Sequence, residues 1–126
     1  MVLWLIEHNW GGEILIPKIP SYRIGDVAQA IAPECRQDIV GIRPGEKIHE
    51  EMITASDSFR TVDLGAYFAI LPSARQYGVQ EYCDRTGARL VAPGFSYDSG
   101  SNPDFLSVEQ LRLLIRQHVP AHASAH

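Results

Sequence analysis

The stretch GIRPGEKIHEEM, residues 41–52, gathers an unusual number of charges into one turn. An apolar run, Ile39-Val40-Gly41-Ile42, meets Arg43-Pro44-Gly45, and Glu46, Lys47, His49, Glu50 and Glu51 follow. Arg43 precedes a proline, which biases its backbone toward an extended conformation. A guanidinium at such a position can clamp two oxygens of a phosphate with its planar fork of donors. Glu46 can accept hydrogen bonds from sugar hydroxyls, and Lys47 adds positive charge. Together these residue types suit a nucleoside diphosphate. The alternative is a solvated turn whose charges pair among Arg43, Glu46, Lys47 and Glu50, since surface ion pairs are common and weak.

Other familiar chemistries are missing from the sequence. It contains no G-x-G-x-x-G, no phosphate-binding P-loop and no G-x-S-x-G. His49-Glu50-Glu51-Met52-Ile53 starts like a zinc-protease H-E-x-x-H but lacks the second histidine. The five histidines, at 8, 49, 118, 122 and 126, form no ligand spacing, so no metal site is expected. No tyrosine is followed four residues later by lysine. No complete acid–base set can be assembled, and no catalytic residue is assigned.

The elements that must hold the charged turn are short. Val2 to Ile6 are consecutive apolar residues without a leading cap, stopped by Gly11-Gly12, and read as a helix. Such a helix begins inside an element of a larger protein, or it is an N-terminal helix that dimerises. Glu13 to Pro17 reads as a buried strand that Pro17 and Pro20 keep from continuing in a sheet. Tyr22 to Ala32 has helical spacing, with Ser21 as its cap and Pro33 as its stop. Asp38 to Ile42 is expected as a second strand, Glu46 to Ile53 as a short helix carrying His49, and Thr54 to Arg60 as a polar loop. Ala66 to Leu71 is a third strand, Arg89 to Ala92 and Phe95 to Tyr97 are short edges, and residues 73–88 give no clear pattern. Ser107-Val108-Glu109-Gln110 is a capping box that opens a helix ended by Pro120. Helices alternating with strands indicate an α/β chain, one small mixed domain over residues 1–119 with a flexible tail at 120–126.

With 126 residues, 45% of them apolar, the chain can build one real core. A net charge of −4 and no basic stripe argue against nucleic acid as a partner. Cys35 and Cys83 form no metal spacing and read as buried or half-buried free thiols of a reducing, cytoplasmic setting. No apolar run reaches membrane-spanning length, so no membrane partner is expected. Trp4 and Trp10 read as core or interface residues.

The strings GGEILIPKIPS, DVAQAIAPE, GIRPGEKIHEEMI, YFAILP, LVAPGFSYDSGSN and LSVEQLRLLI extend the reading further. From about residue 2 to residue 117 the chain resembles the C-terminal region of inverting UDP-N-acetylglucosamine 4,6-dehydratases, members of the extended short-chain dehydrogenase/reductase superfamily. The resemblance implies a substrate-binding portion whose parent enzymes hold NADP in an N-terminal Rossmann domain. They oxidise sugar C4, eliminate water across C5 and C6, and return the hydride to C6. That half, on the order of 150 residues or more, carries the catalytic tyrosine and lysine and has no counterpart here, so no cofactor is expected in this chain. By the same resemblance, Arg43 holds the UDP diphosphate, Glu46 the ribose, and Lys18 and Tyr22 lie in a second substrate-contacting segment. A separately encoded Rossmann half and a homo-oligomer are the implied partners. The alternatives are a non-catalytic nucleotide-sugar-binding or assembly module, a truncated remnant, and the capsular UDP-sugar epimerase branch.

Overall fold

The computed structural model describes residues 2–74 and 77–119; the expected tail at 120–126 lies outside the described residues. The elements run α1 (Val2–His8), β1 (Ile14–Pro17), α2 (Ile24–Ile31), β2 (Glu51–Ile53), a 3-10 helix (Ala55–Arg60), β3 (Thr61–Asp63), β4 (Tyr67–Ile70), α3 (Val79–Thr86), β5 (Arg89–Leu90), β6 (Tyr97–Asp98) and α4 (Val108–His118). This is the small mixed α/β fold expected. The chain divides into two compact units, one of Met1–Ile19 with His49–Ser101 and one of Pro20–Ile48 with Asn102–His126.

The first unit is built on a four-stranded antiparallel sheet in the order β1-β4-β3-β5. Successive side chains of a strand point to opposite faces, and both faces of this sheet are covered. On one, Val62, Ala69 and Leu71 pack with Tyr82 of α3 and with Ala88, and Trp10, Leu15 and Tyr77 close the cluster. On the other, Ile16 and Phe68 pack with Ile53 of β2, and Phe95 and Tyr97 extend it. β2 and β6 form a separate antiparallel pair, Glu51 opposite Asp98 and Ile53 opposite Tyr97, with a bulge between. The helix α3 ends at Gly87, whose φ of +72° provides the left-handed cap, its N–H donating to Cys83 O.

The second unit is held differently. Only Asn102 and Leu111 are buried among its described residues. α2 packs on α4, and Arg112 reaches Gln29 O at 3.2 Å. Ser21 N donates to Asp104 O and Leu106 N to Ser21 O, both at 2.8 Å, around a parallel bridge between Ser21 and Phe105. Asn102 Nδ2 donates to Ser21 Oγ at 3.0 Å. α4 has the reciprocal cap read from sequence: Gln110 N donates to Ser107 Oγ, and Ser107 N to Gln110 Oε1.

Several expectations are corrected. Ser21 does not cap α2, whose N-cap is Arg23 without a side-chain bond; the Ser21 hydroxyl serves Asn102 instead. Asp38–Ile42 forms no strand: Ile39 is 99% and Val40 88% exposed, and Gly41 breaks the extended path at φ +84°. Apolar β-formers alone make no strand without a ladder to join. The segment 46–53 is not a helix, because Glu51–Ile53 is drawn into pairing with β6. Within the expected polar loop, Ala55–Arg60 winds into a 3-10 helix whose Ser58 is buried. Cys35 is exposed, not buried, and Cys83 is half-buried.

Leu71 is fully buried and Ile39 is not. Leu71→Ala is expected to lower the unfolding free energy by about 2–5 kcal/mol, and Ile39→Ala to change it by less than about 0.5 kcal/mol. Urea unfolding of the two variants checks both.

Candidate functional site

Arg43, Pro44, Gly45 and Glu46 form a type II turn. Glu46 N donates to Arg43 O at 3.1 Å, and Gly45, at the third position, has φ +87°. Proline at the second position and glycine at the third are what this turn selects, since only glycine takes that positive φ without strain. A second bond closes the turn from the other side: Arg43 N donates to Glu46 Oε2 at 2.8 Å. One oxygen of the Glu46 carboxylate is therefore committed to the backbone.

The side chains left over bear on the two readings of this turn. None of the ion pairs expected of a merely solvated turn, among Arg43, Glu46, Lys47 and Glu50, is present among the described residues. Arg43 is exposed, and its guanidinium makes no hydrogen bond or ion pair there. The turn thus closes its backbone with two hydrogen bonds and leaves a free, planar cation beside it. That is an arrangement able to grip an anion with two adjacent oxygens. Tyr22, in the same unit, is half exposed.

Lys18 belongs to the first unit and is engaged. Its Nζ donates to Asp63 Oδ1 at 2.7 Å and lies 4.4 Å from the centre of the Phe68 ring. Asp63 Oδ1 also accepts from Gly65 N at 2.7 Å. Partial burial of Asp63 works against its charged form, but the Lys18 and Gly65 hydrogen bonds outweigh it and hold the carboxyl below its ordinary value of 3.8. Nearby, the Tyr97 hydroxyl accepts from Ile19 N and donates to Ile19 O, both at 3.0 Å. This bond, invisible to sequence patterns, fixes the chain just after Lys18.

The loop after Tyr97 is folded around one carboxylate. Asp98 Oδ1 accepts from Gly100 N at 2.8 Å and Ser101 N at 2.9 Å, and Oδ2 accepts from Ser101 Oγ. These bonds, the Ser101 hydroxyl first, depress the Asp98 carboxyl below 3.8. Glu50 N donates to Ser99 Oγ at 3.0 Å and Ser99 N to Glu50 O at 2.8 Å. His49, on the non-helical segment before β2, lies so close to this loop that a Cβ on Gly100 would sit 2.8 Å from its ring. Among the described residues no group of three or more His, Cys, Asp or Glu could hold a metal ion, and no helix is long and apolar enough to cross a membrane.

The Lys18–Asp63 pair has a pH signature. The Asp63 carboxyl titrates lower in the folded chain than in the unfolded one. The stability it adds is therefore present above the unfolded carboxyl range near 3.9 and is lost as pH falls through the lower folded value. Lys18→Met is expected to raise the Asp63 carboxyl toward its ordinary range and move the acid-unfolding midpoint to higher pH. Carbon-detected NMR titration of the Asp63 carboxyl checks it; a titration curve unchanged by the variant would contradict the pairing.

Known proteins place this geometry in context. Residues 1–72 match the model of a family described as polysaccharide biosynthesis protein. Over 120 residues the chain is 41% identical to a UDP-N-acetylglucosamine 4,6-dehydratase (inverting) of Campylobacter jejuni subsp. jejuni serotype O:2, covering 90% of this chain and 35% of that protein. A UDP-glucose 4-epimerase of Rickettsia akari is 29% identical over 119 residues, covering 91% of this chain and 34% of its own length. Among solved structures, that of Pen from Bacillus thuringiensis matches with a TM-score of 0.66 at 27% identity, over 91% of this chain and 34% of that one. The chain spans about a third of the length of the curated relatives it matches. With more than half of its residues matched by the family model, the chain belongs to the polysaccharide biosynthesis protein family.

Proposed function

We propose that this chain is the substrate-binding, C-terminal-type portion of a UDP-N-acetylglucosamine 4,6-dehydratase, inactive by itself. The observation that carries the reading is the Arg43–Glu46 turn, which leaves a guanidinium free beside a backbone closed by two hydrogen bonds. In this reading Arg43 clamps the diphosphate. Glu46, with Oε2 already on the Arg43 amide, offers Oε1 to a ribose hydroxyl. Tyr22, in the same unit, supplies an exposed phenol, whereas Lys18, in the first unit, is already paired with Asp63. The dehydratase branch is favoured over the epimerase branch by the identities, 41% against 29%.

NADP, which such dehydratases use to carry the hydride, does not fit the described residues. A dinucleotide cradle needs a parallel strand–helix–strand unit with a glycine-rich turn at the helix N-terminus. Among the described residues the strands pair antiparallel, the parallel Ser21–Phe105 contact is a single isolated bridge, and the sequence has no G-x-G-x-x-G. No step of the reaction is therefore assigned to this chain. Its role is to hold the nucleotide end of a UDP-sugar in the cytoplasm, and a Rossmann-type partner would bring the cofactor and the catalytic pair.

Amide NMR titration with UDP and with UDP-N-acetylglucosamine tests the reading. Residues 41–47 are expected to shift with both ligands, and Arg43→Ala to weaken binding at least about tenfold. Well-dispersed spectra that ignore UDP, or an alanine variant that binds as tightly as the parent, would refute it.

A further inference from the structure

The end of α1 and the last turn of α3 flank a cavity of about 380 Å³, within the range of roughly 300–1,000 Å³ common for small-molecule sites. Its lining includes both tryptophans, Trp4 and Trp10, with Glu7, His8, Asn9 and Arg85. Each tryptophan is paired with a planar polar group. The His8 ring stacks on Trp4 at 4.6 Å and 4°, its Nδ1 at 2.9 Å from Trp4 O. In the tautomer whose Nδ1–H donates to that oxygen, Nε2 is an acceptor. The Arg85 guanidinium lies 4.3 Å from the centre of the Trp10 ring.

The polar groups left over define the ligand. Asn9 Nδ2 is used by Leu5 O at 2.9 Å, which leaves its amide oxygen. Arg85 Nη1 forms a loose ion pair with Glu81 Oε1 at 3.7 Å, too long for a hydrogen bond, so its hydrogen-bond donors are available. Glu7 is exposed and makes no hydrogen bond or ion pair among the described residues. The lining thus offers one carboxylate, one guanidinium, two further acceptors and two aromatic rings. A ligand of either net charge meets a like charge here. A neutral ring with hydroxyls on its edge and C–H groups on its faces meets none. It can give protons to Glu7, Asn9 and His8 and accept from Arg85, and its C–H groups can meet the indole surface that His8 and Arg85 leave uncovered. We propose that this cavity is a binding site for a neutral pyranose sugar, separate in its chemistry from the diphosphate reading of Arg43 and not dependent on it.

The two tryptophans of the cavity are the only two in the chain, so their indole N–H signals report on the site alone. Three forms of one ring serve as probes: methyl β-glucoside, neutral; glucosamine, cationic; and glucose 6-phosphate, anionic. The glucoside is expected to move both indole signals with a Kd on the order of millimolar, and each charged form to bind at least about fivefold more weakly. Glu7→Gln should weaken the glucoside by about fivefold, whereas Arg43→Ala should leave it unchanged. If Glu7→Gln collapses the dispersion of the indole signals, Arg85→Gln replaces it with the same expectation. Indole signals unmoved by the glucoside overturn the proposal. So does a charged form binding equally well, a full-strength response in the folded Glu7 or Arg85 variant, or loss of the response in Arg43→Ala.

Discussion

β4 is paired along both edges, and the rest of the first unit is arranged around that double ladder. Ile70 lies between Ile14 and Thr61, Ala69 between Leu15 and Val62, and Phe68 between Ile16 and Asp63. Each row places one residue of β4 at the centre of three strands, which is why Ala69 is fully buried although its side chain is a single methyl. The same pairing sends Ala69 to one face and Phe68 to the other. The Tyr82 cluster and the Ile53 cluster are thus two cores separated by one strand. Phe68 then supplies the ring over which Lys18 is held, and β3 brings Asp63 to the Lys18 ammonium. The position of Lys18 is a consequence of sheet register.

Among its described residues the second unit has no comparable core, and its order comes from hydrogen bonds and turns. Ser21 is bonded through its amide, its carbonyl and its hydroxyl, to Asp104, Leu106 and Asn102. The Arg43 turn is similarly closed on itself by backbone and carboxylate. Closing a short loop in this way restricts the conformational entropy of its backbone. It also means that Glu46 acts first on the protein's own backbone and only through its second oxygen on anything else.

What could be read in the sequence was what depends on neighbours along the chain. The α4 cap is Ser107 and Gln110, three residues apart, and it stands as read. α1, β1, α2 and β4 are likewise found, within a few residues of their expected ends. What could not be read depends on partners distant in sequence. β3 has only Thr61, Val62 and Asp63, and nothing in those residues announces that β4 and β5 flank them. The Asp38–Ile42 run fails as a strand for the opposite reason, since it has the composition of one but no ladder. The tie between Tyr97 and Ile19 spans 78 positions and leaves no local mark. At the candidate site the glycine and proline of the turn were legible, because each residue's own φ decides them. The commitment of Glu46 to the Arg43 amide was not, because glutamate at that spacing also suits a surface ion pair.

These two kinds of order bear differently on function. A position set by sheet register tolerates little change, because shifting a strand by one residue reverses its faces. Lys18 and Asp63 are therefore best understood as parts of the frame that also bear charge. A position set by a local turn is portable: Arg43-Pro44-Gly45-Glu46 needs only four residues to present its guanidinium, and the exposed run before it contributes no packing to the turn. Of the two candidate cations, the unpaired one, Arg43, sits on the portable element, and Lys18, fixed by register, is already paired. That division is the physical reason to look for ligand recognition at Arg43 before Lys18.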